Sequence, residues 1–513
     1  MSLNAIELSI FGHRLAAICD EMGAVLKRSA LSPNIKDRED FSCALFDTEG
    51  ELVAQAAHIP VHLGSMAYCM RSIVASFTWE NGDAVIFNDP FLGGTHLPDI
   101  TVVIPVFAEN KLLGFAASRA HHTDVGGLSP GSMGVHTRLA DEGVVLSPQY
   151  WIKKGIEEPD ALAELLSCVL NPAERQGDLA AQRAACTIGA KQLARLHAEI
   201  AVPDGFARLL KSSEAYGRRA IAEIPDGTYA FSDIIEDDGT NQGAFSIHAL
   251  LSVEGDNVKV DFSGTASQCA GPMNCPLSVT AAAVFYAFRC LMPDGTPQTS
   301  AIFRPIKLKA PEGCLVNARP GAAVAAGNVE TSQRIVDVVL GALAKATPER
   351  IPAASQGTMN NVIFAGNDWV YYETLAGGMG AHQNADGLSA VQCHMTNTRN
   401  TSIEVLEMHY PLRVLAYEKR TGSGGSGACH GGEGLMREWE VLKDCTLSLL
   451  AERRLSSPFG LAGGSHGQPG SNRLLRQGEW QEIASKCNIA LQAGDILHIE
   501  TPGGGGFGKP GEQ

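Results

Sequence analysis

Residues 94 to 124 read "GTHLPDITVVIPVFAENKLLGFAASRAHHTD". Three histidines and two aspartates bracket two apolar runs, with the polar turn "AENK" between them. That pattern predicts an antiparallel hairpin. With the turn centred near Asn110, residues whose numbers sum to about 220 face each other. Asp99 and His121 are such a pair, which sets their β-carbons roughly 5 Å apart. His96 lies on the incoming loop, and His122 and Asp124 follow on the outgoing one. Five potential ligands therefore converge at the open end of a single hairpin.

The hairpin before it points the same way. "FSCALFD", the turn "TEG" and "ELVAQAA" form a second pair of strands, and a centre near Glu49 sets Asp40 opposite His58. A bound divalent metal accounts economically for such a gathering. Histidine nitrogen and carboxylate oxygen suit zinc, manganese or iron(II), and the absence of cysteine ligands favours a catalytic over a structural site. Two other readings stay open: a polar rim of hydrogen-bonded histidines capping loops, and a Ser/His/Asp arrangement. No Gly-x-Ser-x-Gly elbow supports the latter.

The whole chain sets bounds on function. At 513 residues it is too long for one ordinary core, so two or three domains are expected. A formal net charge of −16 argues against nucleic acid or an anionic membrane surface as partner. No run of about 18 apolar residues predicts a membrane span. The start, "MSLNAIELSIFGHRL", carries an acid and a histidine where a secretory signal needs an uninterrupted apolar core. Thirteen cysteines, scattered through apolar contexts without a Cys-x-x-Cys, read as reduced thiols of a cytoplasmic protein.

The pattern predicts a mixed α+β, multidomain chain. Helices are expected over 4–30, 157–200, 204–224, "LSVTAAAVFYAFRCLM" and "TSQRIVDVVLGALAKA". Strands are expected in "GDAVIFNDP", "DGTYAFSDIIEDDG" and "FSIHALLSVEGDNVKVDFSG". Past about residue 405, short strands alternate with glycine-rich turns such as "TGSGGSGACHGGEG". We therefore expect a metal-site domain over 1–200, a central α/β domain over 201–404 and a β-rich module over 405–513.

Several stretches resemble a known family: "EMGAVLKRSALSPNIKDREDFSCALFD", "GDAVIFNDPFLGGTHLPDITVVIPVF", "RAHHTDVGG", "NPAERQGDLAAQ", "IPDGTYAFSDIIEDDG", "ETLAGGMGA", "TNTRNTSIEVLE" and "TPGGGGFG". Together they are similar, from end to end, to the hydantoinase B component of the hydantoinase/5-oxoprolinase family. The resemblance implies ATP-dependent opening of a cyclic amide such as hydantoin, N-methylhydantoin, 5-oxoproline or a larger lactam. It implies a hetero-oligomer, in which an A-type partner or fused half binds ATP and magnesium and phosphorylates the ring carbonyl oxygen. The B-type chain then delivers water through a divalent metal, zinc or manganese, held by Asp40, His96, Asp99 and His121. His122 and Asp124 become catalytic candidates beside His121, able to orient ligands or shuttle protons. A related branch is the acetone carboxylase type, which joins bicarbonate-derived carbon to an activated ketone. A non-catalytic scaffold is the third reading.

Other signals are weaker. "GGGGFGKP" at 503–510 imitates a phosphate-binding loop, but Pro510 replaces the Ser/Thr that holds magnesium. A tight glycine turn against another backbone is the plainer reading. Glu330, Thr331 and Ser332 stand at a helix start, where capping is expected. Glu330 at that helix start, and Glu373, Asn397 and Asn400 in turn-rich loops, are candidates for contacting substrate.

Overall fold

Strands β1 (Phe41–Phe46), β2 (Leu52–Gln55), β3 (Ala84–Phe87), β4 (Asp99–Ala108), β5 (Lys111–His121), β6 (Gln149–Lys153) and β7 (Ile156–Glu157) form one sheet, ordered β2-β1-β5-β4-β3-β6-β7. The structure, a computed structural model, describes residues 4–56 and 59–511. β4 and β5 pair in the expected register, with Asp99 opposite His121 and Ile100 opposite Ala120. Their turn residues Glu109 and Asn110 both take positive φ, 48° and 62°, as a two-residue hairpin whose twist matches its strands demands. The β1–β2 hairpin also forms, with Ala44 opposite Gln55 and a bulge at Leu45/Phe46. The expected partner of Asp40, His58, lies outside the described residues.

Side-chain alternation sorts this sheet into two faces. Cys43, Leu45, Val102, Ala116 and Ala120 join the core under helices α1 (Ala5–Ser29) and α3 (Pro172–Glu199). Ala44, Phe46, Val103, Phe115 and Ala117 face helix α2 (Pro60–Ala75) through Met66, Met70 and Ile73. α1 starts at a capping box between Asn4 and Glu7, which satisfies amides that a helix end leaves orphaned.

Helices α4 (Val202–Ala222), α5 (Leu277–Arg289) and α6 (Ser332–Ala346) follow the predicted periodicity closely. The expected helical stretch over 157–200 is broken. Ile156–Glu157 is an edge strand and Ala163–Cys168 a short helix, and α3 begins only where Asn171 caps and Pro172 takes the first helical position. α5 and α6 pack with a sheet of Gly227–Ile235, Phe245–Glu254, Asn257–Asp261 and Ile306–Lys309. Two further sheets complete the α+β arrangement. One joins Val370–Thr374 and Asn361–Ala365 to Cys445–Leu450 and Lys486–Leu491, so strands on both sides of residue 404 share it. The other runs Leu412–Arg420, Gly434–Val441, Ile496–Glu500, Ser471–Arg476, Glu479–Glu482.

The glycine run at 503–508 packs backbone against backbone. Gly504 N donates to Gly432 O, Gly505 N to Ala354 O, and Gly506 N to Ser465 O, at 2.8–2.9 Å. A β-carbon at Gly504 would stand 2.1 Å from Met379 O, so only glycine fits there.

Candidate metal centre

Parity assembles the site. Asp40, Asp99 and His121 each fall on the sheet face that α2 covers, because they alternate with residues of the opposite core. His96 arrives on the loop after the short turn Pro90–Leu92, and Asn34 Nδ2 holds the His121 carbonyl at 2.6 Å. His96, Asp99 and His121 are all buried. His96 Nε2 lies 3.1 Å from Asp99 Oδ1 and 3.2 Å from His121 Nδ1, and His121 Nδ1 lies 3.4 Å from Asp99 Oδ1. Three donor atoms thus form a nearly equilateral triangle. Ligands 2.0–2.2 Å from one tetrahedral ion are separated by about 3.3–3.6 Å, close to these edges. Asp40 stands beside the triangle, with Oδ2 4.0 Å from His121 Nδ1 and 3.9 Å from Arg38 Nη1.

Asp99 is oriented from behind. Its Oδ2 accepts from Thr95 Oγ1 and, at 3.4 Å, from Asn328 Nδ2, and it lies 3.2 Å from His62 Nε2. Oδ1, though buried, accepts no hydrogen bond from any described residue, so it is the oxygen left to a ligand. Burial opposes the charged carboxylate, yet the imidazoles of His96 and His62 hold Asp99 well below its ordinary range. Burial also lowers the His121 pKa and so favours the neutral imidazole that ligates metals. Tyr372 stacks on that ring at 4.8 Å, and the Arg38 guanidinium lies over the tyrosine ring at 4.4 Å. The donor set, its convergence and the unsatisfied Asp99 oxygen all fit a divalent cation.

His62 escaped the sequence reading. It occupies the first turn of α2, a helix that Pro60 and the spacing of Val61, Met66, Met70 and Ile73 could have revealed. No carboxylate or second histidine adjoins it in sequence except His58, so it offered no local cluster.

The other candidates scatter. His122 follows His121 in the chain and turns to the α3 face, where Nε2 meets Gln182 Oε1 at 2.9 Å. Burial, reinforced by the positive Arg175, lowers its pKa to about 4. Asp124 organises loops, accepting from Gly126 N and Leu170 N at 2.9 and 2.8 Å. Glu373 alternates with Tyr372 and points away from the triangle. It meets Tyr371 Oη at 2.6 Å, Asn400 Nδ2 at 3.0 Å and Arg437 Nη1 at 3.1 Å. Asn397 lines a separate cleft of about 240 Å³ with Gln55 and Tyr286.

Glu330 lies behind the site and caps no helix. Residues Gly327–Thr331 form a π-helical turn running straight into α6, and Thr331 and Ser332 bond to Met273 O and Asn328 O. The expected cap is absent because the helix has no free end here. Glu330 Oε1 accepts from Asn361 Nδ2 at 2.8 Å, and Asn361 Oδ1 accepts from Tyr372 Oη at 2.9 Å. Burial pushes its carboxyl up to about 8.

The family model for hydantoinase B/oxoprolinase matches residues 4–510. The chain belongs to this family. It is 38% identical to 5-oxoprolinase 1 of Arabidopsis thaliana over 99% of its own length but only 42% of that protein. It is 32% identical to the B component of a D-/L-hydantoinase from Pseudomonas sp. strain NS671, with 100% of this chain and 91% of that one covered. Among solved structures, the ATP-dependent caprolactamase of Pseudomonas jessenii superposes with a TM-score of 0.93 at 27% identity, over 99% of this chain and 92% of the other. Acetone carboxylase shares the fold, with a TM-score of 0.90 at 19% identity, over 99% and 76%. No helix among the described residues is long and apolar enough to cross a membrane.

Proposed function

We propose that this chain supplies the metal-dependent half of an ATP-dependent cyclic amide hydrolase, acting on a ring carbonyl phosphorylated by an A-type partner in a cytoplasmic hetero-oligomer. The observation that carries it is the buried triangle of His96 Nε2, Asp99 Oδ1 and His121 Nδ1. These three, with Asp40 beside them, would hold zinc or manganese. Such an ion supplies a water of lowered pKa at neutral pH. The chain's own residues prepare the place for it. Thr95, His62 and Asn328 turn Asp99 so that one oxygen stays available, and Tyr372 fixes the His121 ring in plane. Names such as 5-oxoprolinase and caprolactamase among relatives support ring opening over the carboxylase alternative, which rests on fold alone. The decisive experiment is reconstitution with an A-type partner: ADP and acyclic product should form together, without bicarbonate. Bicarbonate-dependent ATP turnover would favour the carboxylase reading.

Two expectations follow from this division of labour. His62→Ala should weaken metal binding about tenfold or more, since residues that orient ligands carry that much affinity. Competition with a chelator measures it, and unchanged affinity would remove His62 from the site. The isolated chain should bind no magnesium-ATP at micromolar concentrations. Amides that a phosphate loop would offer are already given to carbonyls across residues 503–508. Calorimetry with the nucleotide is the check, and micromolar binding would overturn the assignment of ATP to the partner.

A further inference from the structure

Among the described residues, the polar contacts of the His121 ring all run through Nδ1. Histidine ligands usually anchor the second ring nitrogen as well. Here that duty falls to the face of the ring, on which Tyr372 stacks at 4.8 Å with 20° between the planes. A stack sets the spacing of two rings but lets them slide, so the imidazole is held only as firmly as the tyrosine.

The tyrosine is held at its hydroxyl. Ile363 faces Tyr372 across the paired strands Asn361–Ala365 and Val370–Thr374. Asn361, two residues from Ile363, therefore projects on the same face as the diagonal neighbour of Tyr372. Tyr372 Oη donates to Asn361 Oδ1 at 2.9 Å, and Asn361 Nδ2 donates to Leu450 O at 2.9 Å and to Glu330 Oε1 at 2.8 Å. Leu450 O can only accept, which fixes the orientation of the amide and leaves Oδ1 for the tyrosine. Asn361 and Glu330 are fully buried and Tyr372 nearly so, which keeps water from these bonds.

Glu330 belongs to the π-helical turn Gly327–Thr331, and that turn is wedged in place. Gly327 N donates to Pro272 O at 2.9 Å, and Thr331 Oγ1 donates to Met273 O at 2.6 Å. A β-carbon at Gly327 would stand 1.8 Å from Asn274 O, an approach that only glycine permits. The same turn touches the centre a second time, since Asn328 Nδ2 lies 3.4 Å from Asp99 Oδ2. Such turns are rare and concentrate at functional sites. This one reaches an imidazole through Glu330 and a carboxylate through Asn328.

We propose that Glu330 is a positioning residue for His121, setting the plane of its imidazole through Asn361 and Tyr372. The inference rests on the metal-dependent reading for its purpose, since a ligand must present its lone pair along a fixed direction. The arm needs only an acceptor. Glu330 Oε1 takes Asn361 Nδ2 and, at 3.0 Å, Met359 N, and it can do so with or without a proton on the carboxyl. Glutamine should therefore replace this glutamate, and alanine should not.

The test uses the full chain in two forms. One is loaded with cobalt(II), whose visible absorption reports the geometry of its ligands; the other is metal-free, with isotope-labelled histidine for magnetic resonance. Glu330→Ala and Tyr372→Phe should each weaken cobalt binding about tenfold and alter the spectrum, while Glu330→Gln stays near the parent. Combined, the two losses should cost no more than either alone, because both cut one arm; independent structural losses would multiply to about a hundredfold. In the metal-free chain the His121 ring signals, identified by their loss in His121→Gln, should move in Glu330→Ala and hold still in Glu330→Gln. Tyr372→Phe removes one oxygen and keeps the stack, so its cobalt affinity decides the matter even if Glu330→Ala does not fold. Normal cobalt affinity in Tyr372→Phe, multiplied losses in the double variant, or a Glu330→Gln as weak as Glu330→Ala would each overturn the proposal. Ring signals that move as expected in a chain that takes up no cobalt would fail the metal-dependent reading alone. A parent that binds cobalt, with variants that match it, would fail only this inference.

Discussion

His121→Ala is expected to abolish ring opening in the reconstituted complex while leaving the partner's phosphorylation of the ring carbonyl intact. His121 Nδ1 stands 3.2 Å from His96 Nε2 and 3.4 Å from Asp99 Oδ1. Removing the imidazole takes one corner from the triangle and exposes the Tyr372 face that it covers. Metal content should fall below stoichiometric, and product formation should drop about a thousandfold or more, since the chemical step loses its source of nucleophile. Substrate-dependent positional isotope exchange in ATP would report the surviving phosphorylation. His121→Gln, with a carbonyl oxygen able to reach the same corner, should recover part of the metal. A His121→Ala enzyme with near-normal turnover would mean that the histidines form a hydrogen-bonded rim and hold no catalytic ion.

Local pattern carried the reading of this site as far as strand periodicity reaches. The 109–110 turn sets the pairing at the tip, and an irregularity at Val106/Phe107 shifts it by one residue so that Asp99 meets His121. Alternation then separates His121 from His122, which sequence proximity had grouped together: one ring meets His96 and Tyr372, the other Gln182. What stayed hidden was contributed from far along the chain. His62 comes from a helix packed across the sheet, Asn328 from a π turn, and Tyr372 from a sheet of the other half. None of these contacts has a signature in its own neighbourhood. The glycine run was legible for a different reason, since a phosphate-loop pattern broken at Pro510 leaves close backbone packing as its use.

Glu373 provides the sharpest division between a binding role and a structural one, and Glu373→Ala is expected to cost about 3–5 kcal/mol of stability. Its carboxylate and the Arg437 guanidinium are both fully buried, 3.1 Å apart. Arg437 is held between the rings of Tyr417 and Trp439, at 4.3 and 4.9 Å, so it cannot turn to solvent when its partner is lost. The alanine variant therefore strands a cation in the core, and also leaves Tyr371 Oη and Asn400 Nδ2 without their shared acceptor. Glu373→Gln keeps a hydrogen-bond acceptor but not the charge, and should lose less. Replacing both partners, as in Glu373→Ala with Arg437→Met, should recover much of the loss, because the buried charge disappears with its counterion. Denaturant unfolding of the three variants measures this coupling. A Glu373→Ala chain that unfolds at the parent's midpoint and instead shows a raised KM would place the residue against substrate, and the pairing with Arg437 would then be incidental to its role.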